Sequence, residues 1–275
     1  MADNTKPTFE PLHKGHAIEQ AAIFVHMDRE IDDAAIADIK KAMGTLPELP
    51  KRSELRGITL AIGPSMPTPR PGPGVGGLSF SKIQADGAVE TELRAERSAI
   101  TFRTTLYTGW VNFWGQGRKY FDALLPHYVD KVKISGIAIN YIDKFVLHAS
   151  RDKHTGSEIL RPNSRFLSPH IYGEKDLWHS HTGWFERVDD TAKRLFNVNV
   201  DFLDEQKDEQ QSSSLVITTL LTDMLNQPGF KPFSPASADA SAAVNEHLGR
   251  LHDLCKDVLS GIINEEMCRR IALKG

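Results

Sequence analysis

The chain has 275 residues, enough for one large domain or two small ones, with 40% hydrophobic and 25% charged residues and a formal net charge of -3. That balance excludes a global bias towards nucleic acid or a membrane surface, and no apolar run approaches the length of a membrane span. Only two cysteines occur, Cys255 and Cys268, which exclude a disulfide framework; with a polar first segment they point to a cytoplasmic protein.

In chain order, residues 1–15 are expected to form a mobile arm. Ala17 to Met27 reads as a strand, and Asp32 or Asp33 suits the N-cap of a helix to Met43, stopped by Gly44. Ile58 to Ile62 is a short apolar strand. Pro64 to Gly77 reads as a loop. It holds a formal match to the dinucleotide fingerprint, Gly72-x-Gly74-x-x-Gly77, but prolines interrupt the glycines and a strand follows where a helix N-terminus is needed. No cofactor is therefore expected. Asp86-Gly87 is a hairpin turn between Leu78–Gln84 and Val89–Arg94, and a further turn near Glu96-Arg97 leads into Ile100–Tyr107.

The longest signal follows. Trp110, Phe113, Trp114, Gly117, Phe121, Leu124 and Leu125 make one broad helical face, with Gly109 before it and Pro126 expected to close it. Gly117 lies on the apolar side, where a missing side chain permits close approach to a sheet. From Ile134 the period returns to two, with Ile137, Ile139, Tyr141, Phe145 and Leu147 on one face. His148 to Asn163 is polar and is expected to loop outward. Trp178 to Val188 looks extended. In Leu195 to Leu203, Phe196, Val198, Val200 and Phe202 alternate with Asn197, Asn199 and Asp201. Asp204 to Ser214 is a solvated turn or hairpin tip, and Leu215 to Leu225 another strand. Ser237 or Asp239 caps a long helix with Val244, Leu248, Leu251, Cys255, Val258 and Ile262 on one face, and Asn264 could cap a short last helix. The expected fold is α+β, two mainly antiparallel sheet-and-helix units over residues 16–150 and 160–275, in outline a structural duplication.

The pair Trp110-x-x-Phe113 in a helix after a strand, then Gly136-x-x-x-Asn140-Tyr141-x-x-Lys144 in the next strand, resembles a sporadically distributed bacterial protein family of unknown function. The resemblance covers nearly the whole chain, including the opening strand–helix Ala17–Met43 and the closing helix Leu248–Ile263. Members usually begin the Asn-Tyr strand with arginines; here it begins Ile134-Ser135-Gly136. The resemblance implies no catalytic residues. It implies a bacterial accessory role, in a stress or defence context.

Three places could carry chemistry. His170, His179 and His181 fall within twelve residues, and on a strand His179 and His181 point to one side, where neutral imidazoles can share a divalent metal; His170 or Glu186 could be a third ligand. That would suit a metal-dependent hydrolase or nuclease. From Arg94 to Arg165, twelve Lys or Arg face six Asp or Glu, so Arg103, Arg118, Lys119, Lys131 and Lys133 could contact nucleic-acid phosphates. The polar row Asn197, Asn199, Asp201 could line a cleft or face water. Hydrolase and phosphate-loop motifs are not found. The expected function is non-catalytic binding, with another protein as partner and no membrane.

Overall fold

The computed structural model describes residues 9–61, 68–148, 156–207 and 210–273, without side chains at 57–61, 68–74, 206–207 and 210–211. The fold is α+β, with one large antiparallel sheet running through both halves of the chain and helices beside it. The strands are β1 (Phe9–Pro11), β2 (Ile18–Met27), β3 (Lys51–Ala61), β4 (Thr68–Ile83), β5 (Val89–Glu96), β6 (Ala99–Thr104), β7 (Ile134–Leu147), β8 (Trp178–Arg187), β9 (Ala192–Lys207) and β10 (Gln210–Leu225). Their order is β3-β4-β5-β6-β2-β7-β10-β9-β8, with β1 paired to one end of β7. The helices are α1 (Asp33–Met43), α2 (Trp110–Val129), α3 (Ala240–Ile262) and α4 (Glu265–Arg270). No described helix is long and apolar enough to cross a membrane.

The two periodicities of the sequence meet in one core. Helices α1, α2 and α3 lie in a row, α1 against β4, α2 against β6, and α3 against β7 and β10. The register brings Phe102, Ile23, Ile139, Leu221 and Phe196 into one line across five strands, all on the helix-covered face and all buried. Gly117 makes the close approach that its place on α2 implied: a Cβ there would lie 3.0 Å from Phe102 and 3.1 Å from Ile23. Asp32 caps α1, accepting from Ala35 N at 2.8 Å, and Asn264 caps α4, accepting from Met267 N at 2.9 Å.

Four local expectations are corrected. Thr68 to Gly77 is strand, not loop, and Gly77 of the fingerprint packs between strands, since a Cβ there would lie 2.6 Å from Ala95 O. Pro69, Pro71 and Pro73 recur at every second position. Their missing N–H groups therefore fall on one edge, while β3 pairs along the other. Helix α2 continues through Pro126 to Val129, because a proline so near the end forfeits only one late hydrogen bond. The described part of the N-terminal arm is held: Phe9 is buried, β1 pairs Phe145–Leu147, and Arg270 donates to Phe9 O at 2.7 Å. Of the segment expected to loop outward, residues 149–155 lie outside the described residues. The rest turns inward, with Ile159 and Leu160 buried and Leu160 bridged to Ile263.

Candidate functional site

Strand β7 carries the floor of the site. Its covered face reads Ile137, Ile139, Tyr141, Asp143, Phe145, Leu147, an apolar series with one acid in it. Asp143 is 3% exposed, and among the described residues no hydrogen-bond donor or cation pairs with it. Burial pushes its carboxyl up to about 7. Across the ladder, Thr219 of β10 sits opposite Tyr141, and its Oγ1 is buried without a partner.

Helix α3 supplies the wall. The spacing His252, Cys255, Lys256, Leu259 lays these side chains over β7 and β10. His252 Nδ1 and Tyr141 Oη are 3.0 Å apart, and the His252 ring stacks on Trp110 at 4.4 Å with 6° between planes. Burial lowers His252 to about 4, so the imidazole is neutral at physiological pH and shares a single hydrogen bond with the Tyr141 hydroxyl through Nδ1. Burial likewise pushes Tyr107 up to about 12 and holds Tyr141 and the Cys255 thiol well above their ordinary values. All four groups are therefore neutral hydrogen-bonding or apolar surface.

These residues surround a cleft with two parts. The inner part, about 40 Å³, is bounded by Tyr141, Asp143, Thr219, His252 and Cys255, with Ile18, Lys256, Leu259 and Leu273 around them. It shares Ile18, Asp143, His252, Lys256, Leu259 and Leu273 with an outer part of about 510 Å³, which lies between Gly15–Ile18, the segment Tyr107–Trp110 leading into α2, and the turn Ile271–Leu273. Gly109 permits that entry to α2, at φ 106°. His16, at the edge of the segment expected to be a mobile arm, packs edge-on against Tyr107 at 5.5 Å, and its buried Nδ1 has no partner among the described residues. A mostly apolar cleft of this volume with a few convergent polar groups matches the general form of a small-molecule site.

A second buried carboxylate lies on the same covered face. Asp223 of β10 is 0% exposed and takes Arg194 Nε at 2.6 Å, Arg194 Nη2 at 3.0 Å and His247 Nδ1 at 2.7 Å. Burial alone would raise it, but the hydrogen bonds from His247 and Arg194 hold it below the ordinary carboxylate value.

The sequence candidates fall elsewhere. His179 and His181 do share a side of β8, with ring centroids 5.4 Å apart, on the face away from the helices. Glu186 has the opposite parity on that strand and accepts from Trp184 Nε1 at 2.8 Å. The segment bearing His170 packs on the other face of β8, through Thr182 Oγ1 donating to Phe166 O at 2.9 Å. Among the described residues, no group of three His, Cys, Asp or Glu stands within reach of one metal ion.

The basic residues are not brought together. Arg103 lies on the uncovered face of the sheet and is paired to Glu92 at 2.7 Å. Arg118 and Lys119 are exposed on α2, Arg118 facing Asp122 at 3.8 Å. Lys131 and Lys133 lie beyond its C-terminal end, Lys131 within 3.8 Å of Asp32. Arg151 and Lys153 lie outside the described residues. Asn197, Asn199 and Asp201 lie on the uncovered face, and Asp201 is the register partner of His179.

Sequence reasoning missed Asp143, Thr219, His252 and His16 as one site. The available signal was the acid at an apolar position of a strand whose period is otherwise unbroken. Comparison with known protein families, with curated proteins and with solved structures gives no match to this chain.

Proposed function

We propose that the protein is a non-catalytic binding module whose ligand seats in the cleft over Asp143. The observation that carries this reading is a carboxylate buried to 3% exposure, without a partner among the described residues, that lines a cleft. Folding alone does not account for it. An unpaired buried carboxyl costs stability, and an apolar residue in the same register would serve the core better. Binding accounts for it better than catalysis does. The Cys255 thiol is held neutral by burial, and no described residue orients Asp143 as a base: a relay needs a hydrogen bond from base to nucleophile, and among the described residues Asp143 has none.

The test is a thermal-shift screen of small metabolites against the wild type and Leu273→Trp, which narrows the cleft from the chain terminus. Compounds that occupy the cleft raise the wild-type Tm and leave the variant unmoved. If every stabilising compound acts equally on both proteins, the cleft is not the site. The bacterial accessory role, and the protein partner expected with it, are supported by the family resemblance alone.

We infer further that the two halves are a structural duplication. Each runs strand, connection, antiparallel meander, long helix: β2, then β3-β4-β5-β6, then α2; and β7, then β8-β9-β10, then α3, the first meander carrying β3 as an additional outer strand. In each half the first strand pairs with the last strand of its meander, and the two first strands pair antiparallel at the centre, as a two-fold axis would place them.

A further inference from the structure

We infer that the inner end of the cleft is a site for a primary organic ammonium on an aromatic body, with the Asp143 carboxylate as its counter-ion and Thr219 Oγ1 as a second acceptor. This rests on the cleft being the binding site, as proposed above.

Four observations point to that chemistry. First, the floor carries a buried carboxyl that no donor among the described residues satisfies. Asp143 has two carboxylate oxygens and Thr219 one hydroxyl, none with a partner among the described residues, while the Tyr141 hydroxyl is already hydrogen-bonded to His252. An ammonium brings three N–H donors and no acceptor, so it satisfies this floor. A carboxylate or a phosphate would set like charge against the ionised Asp143, and a carbonyl would bring it no donor.

Second, no protein cation fills the place. His252 is neutral, and Lys256 is exposed to water and makes no ion pair with Asp143. Lys256 borders both parts of the cleft, but its exposed ammonium has its field weakened by solvent, whereas that of Asp143 acts in a drier interior. Third, the size fits. A space of about 40 Å³ holds two or three groups the size of water, so a head group enters but a ring does not. Fourth, the walls beyond it suit a flat apolar body: Ile18, Leu259 and Leu273 line the cleft beside Trp110, which lies flat on His252. An aromatic body with a short arm would place its ring there and its nitrogen at the floor.

Three probes of one shape separate the possibilities: 2-phenylethylammonium, 2-phenylethanol and phenylacetate. Each is titrated by ligand-observed NMR at pH 8, on the full chain as wild type and as D143N. In the wild type, the ammonium is expected to bind at least about tenfold more tightly than the alcohol, with phenylacetate weakest. In D143N the ammonium and the alcohol are expected to come within about twofold. Thr219→Val is expected to weaken the ammonium by a few-fold and leave the alcohol unchanged. Equal binding of ammonium and alcohol to the wild type would overturn the ammonium site and leave the cleft as a binding site. A preference for ammonium that survives in D143N would place the cation elsewhere and overturn the assignment to Asp143. Failure of all three probes would overturn both the ammonium site and the cleft.

Discussion

Asp143 and Asp223 make a natural pair. They sit on adjacent strands, β7 and β10, on the same covered face, beneath the same helix α3, and each is almost completely buried. Asp143 lies opposite Ile217, six residues from Asp223, so about 20 Å of strand separates them. Their chemistry is opposite. Asp223 is clamped by an arginine and a histidine, and its carboxyl is held low. Asp143 faces a cleft, has no partner among the described residues, and its carboxyl is pushed up to about 7. A clamped carboxylate is an interior group that the fold has neutralised, and it locks β9, β10 and α3 into register. An unclamped one is a group that the fold carries at a cost. That difference separates architecture from function more clearly here than any motif does.

The sharpest way to break the comparison is to unclamp Asp223. Asp223→Ala leaves Arg194 and His247 buried without their acceptor, and removing one partner of a buried pair typically costs about 3–5 kcal/mol. Urea unfolding should show that loss as a lower midpoint at unchanged slope. Adding Arg194→Met to Asp223→Leu should recover much of it, because the penalty comes from the stranded charge. A midpoint unmoved by Asp223→Ala would mean that the clamp is not structural.

The same operation on Asp143 should have the opposite sign. Its folded pKa of about 7 lies above the ordinary 3.8. The folded protein therefore keeps a proton that the unfolded chain releases as pH rises from 4 to 7. Stability falls across that window, and by pH 8 the deficit reaches about 4 kcal/mol for a shift of roughly three units. Asp143→Asn removes that dependence, so the variant should match the wild type near pH 4 and exceed it at pH 8. Asp223, held low, contributes stability at neutral pH that is lost only as the pH falls below the ordinary carboxylate range. Chemical denaturation at a series of pH values reads both signs at once. A pH-independent difference between D143N and the wild type would remove the basis for treating Asp143 as a strained group.

A smaller effect tests the wall rather than the floor. Tyr141→Phe deletes the 3.0 Å bond to His252 and leaves a buried imidazole nitrogen unpaired, which costs about 1–2 kcal/mol. The His252 ring should then lose its fixed orientation on Trp110, seen as sharper exchange-averaged imidazole resonances. If stability and the imidazole signals are both unchanged, His252 is held by stacking alone.

Much of the fold was legible because it is written in period. The alternation of β7 and β9, the broad face of α2 with Gly117 at its closest approach, and the face of α3 all follow from which side is wet. The errors came where local chemistry and pairing disagree. A proline-rich run such as Pro69 to Pro73 argues against a strand until one sees that its prolines spare the paired edge. The cleft was less legible, and for a physical reason. Tyr141, Thr219 and Cys255 come from three elements far apart in sequence, and each alone reads as core. Two signals were present and local. Asp143 interrupts Tyr141–Phe145 and Asp223 interrupts Leu221–Leu225, each an acid at a position that the period assigns to the interior. Sequence alone does not say which of the two acids is clamped, because Arg194 and His247 reach Asp223 only through the register of β9 and the pitch of α3.

The smallest expected effect concerns the histidine pair on β8. His179 and His181 are exposed on the uncovered face, with rings 5.4 Å apart, and no third donor groups with them among the described residues. Replacing both with Ala should change stability by less than about 0.5 kcal/mol, as is usual for exposed positions away from special geometry. Two imidazoles hold zinc loosely, since resident sites draw on three or four protein ligands. Zinc competition against a chelating dye should therefore show only weak uptake, equal in the wild type and the double variant. Tight uptake that the double replacement abolishes would make β8 a metal site after all, completed by donors beyond the described residues. The metal-dependent alternative would then displace the cleft as the first place to look for function.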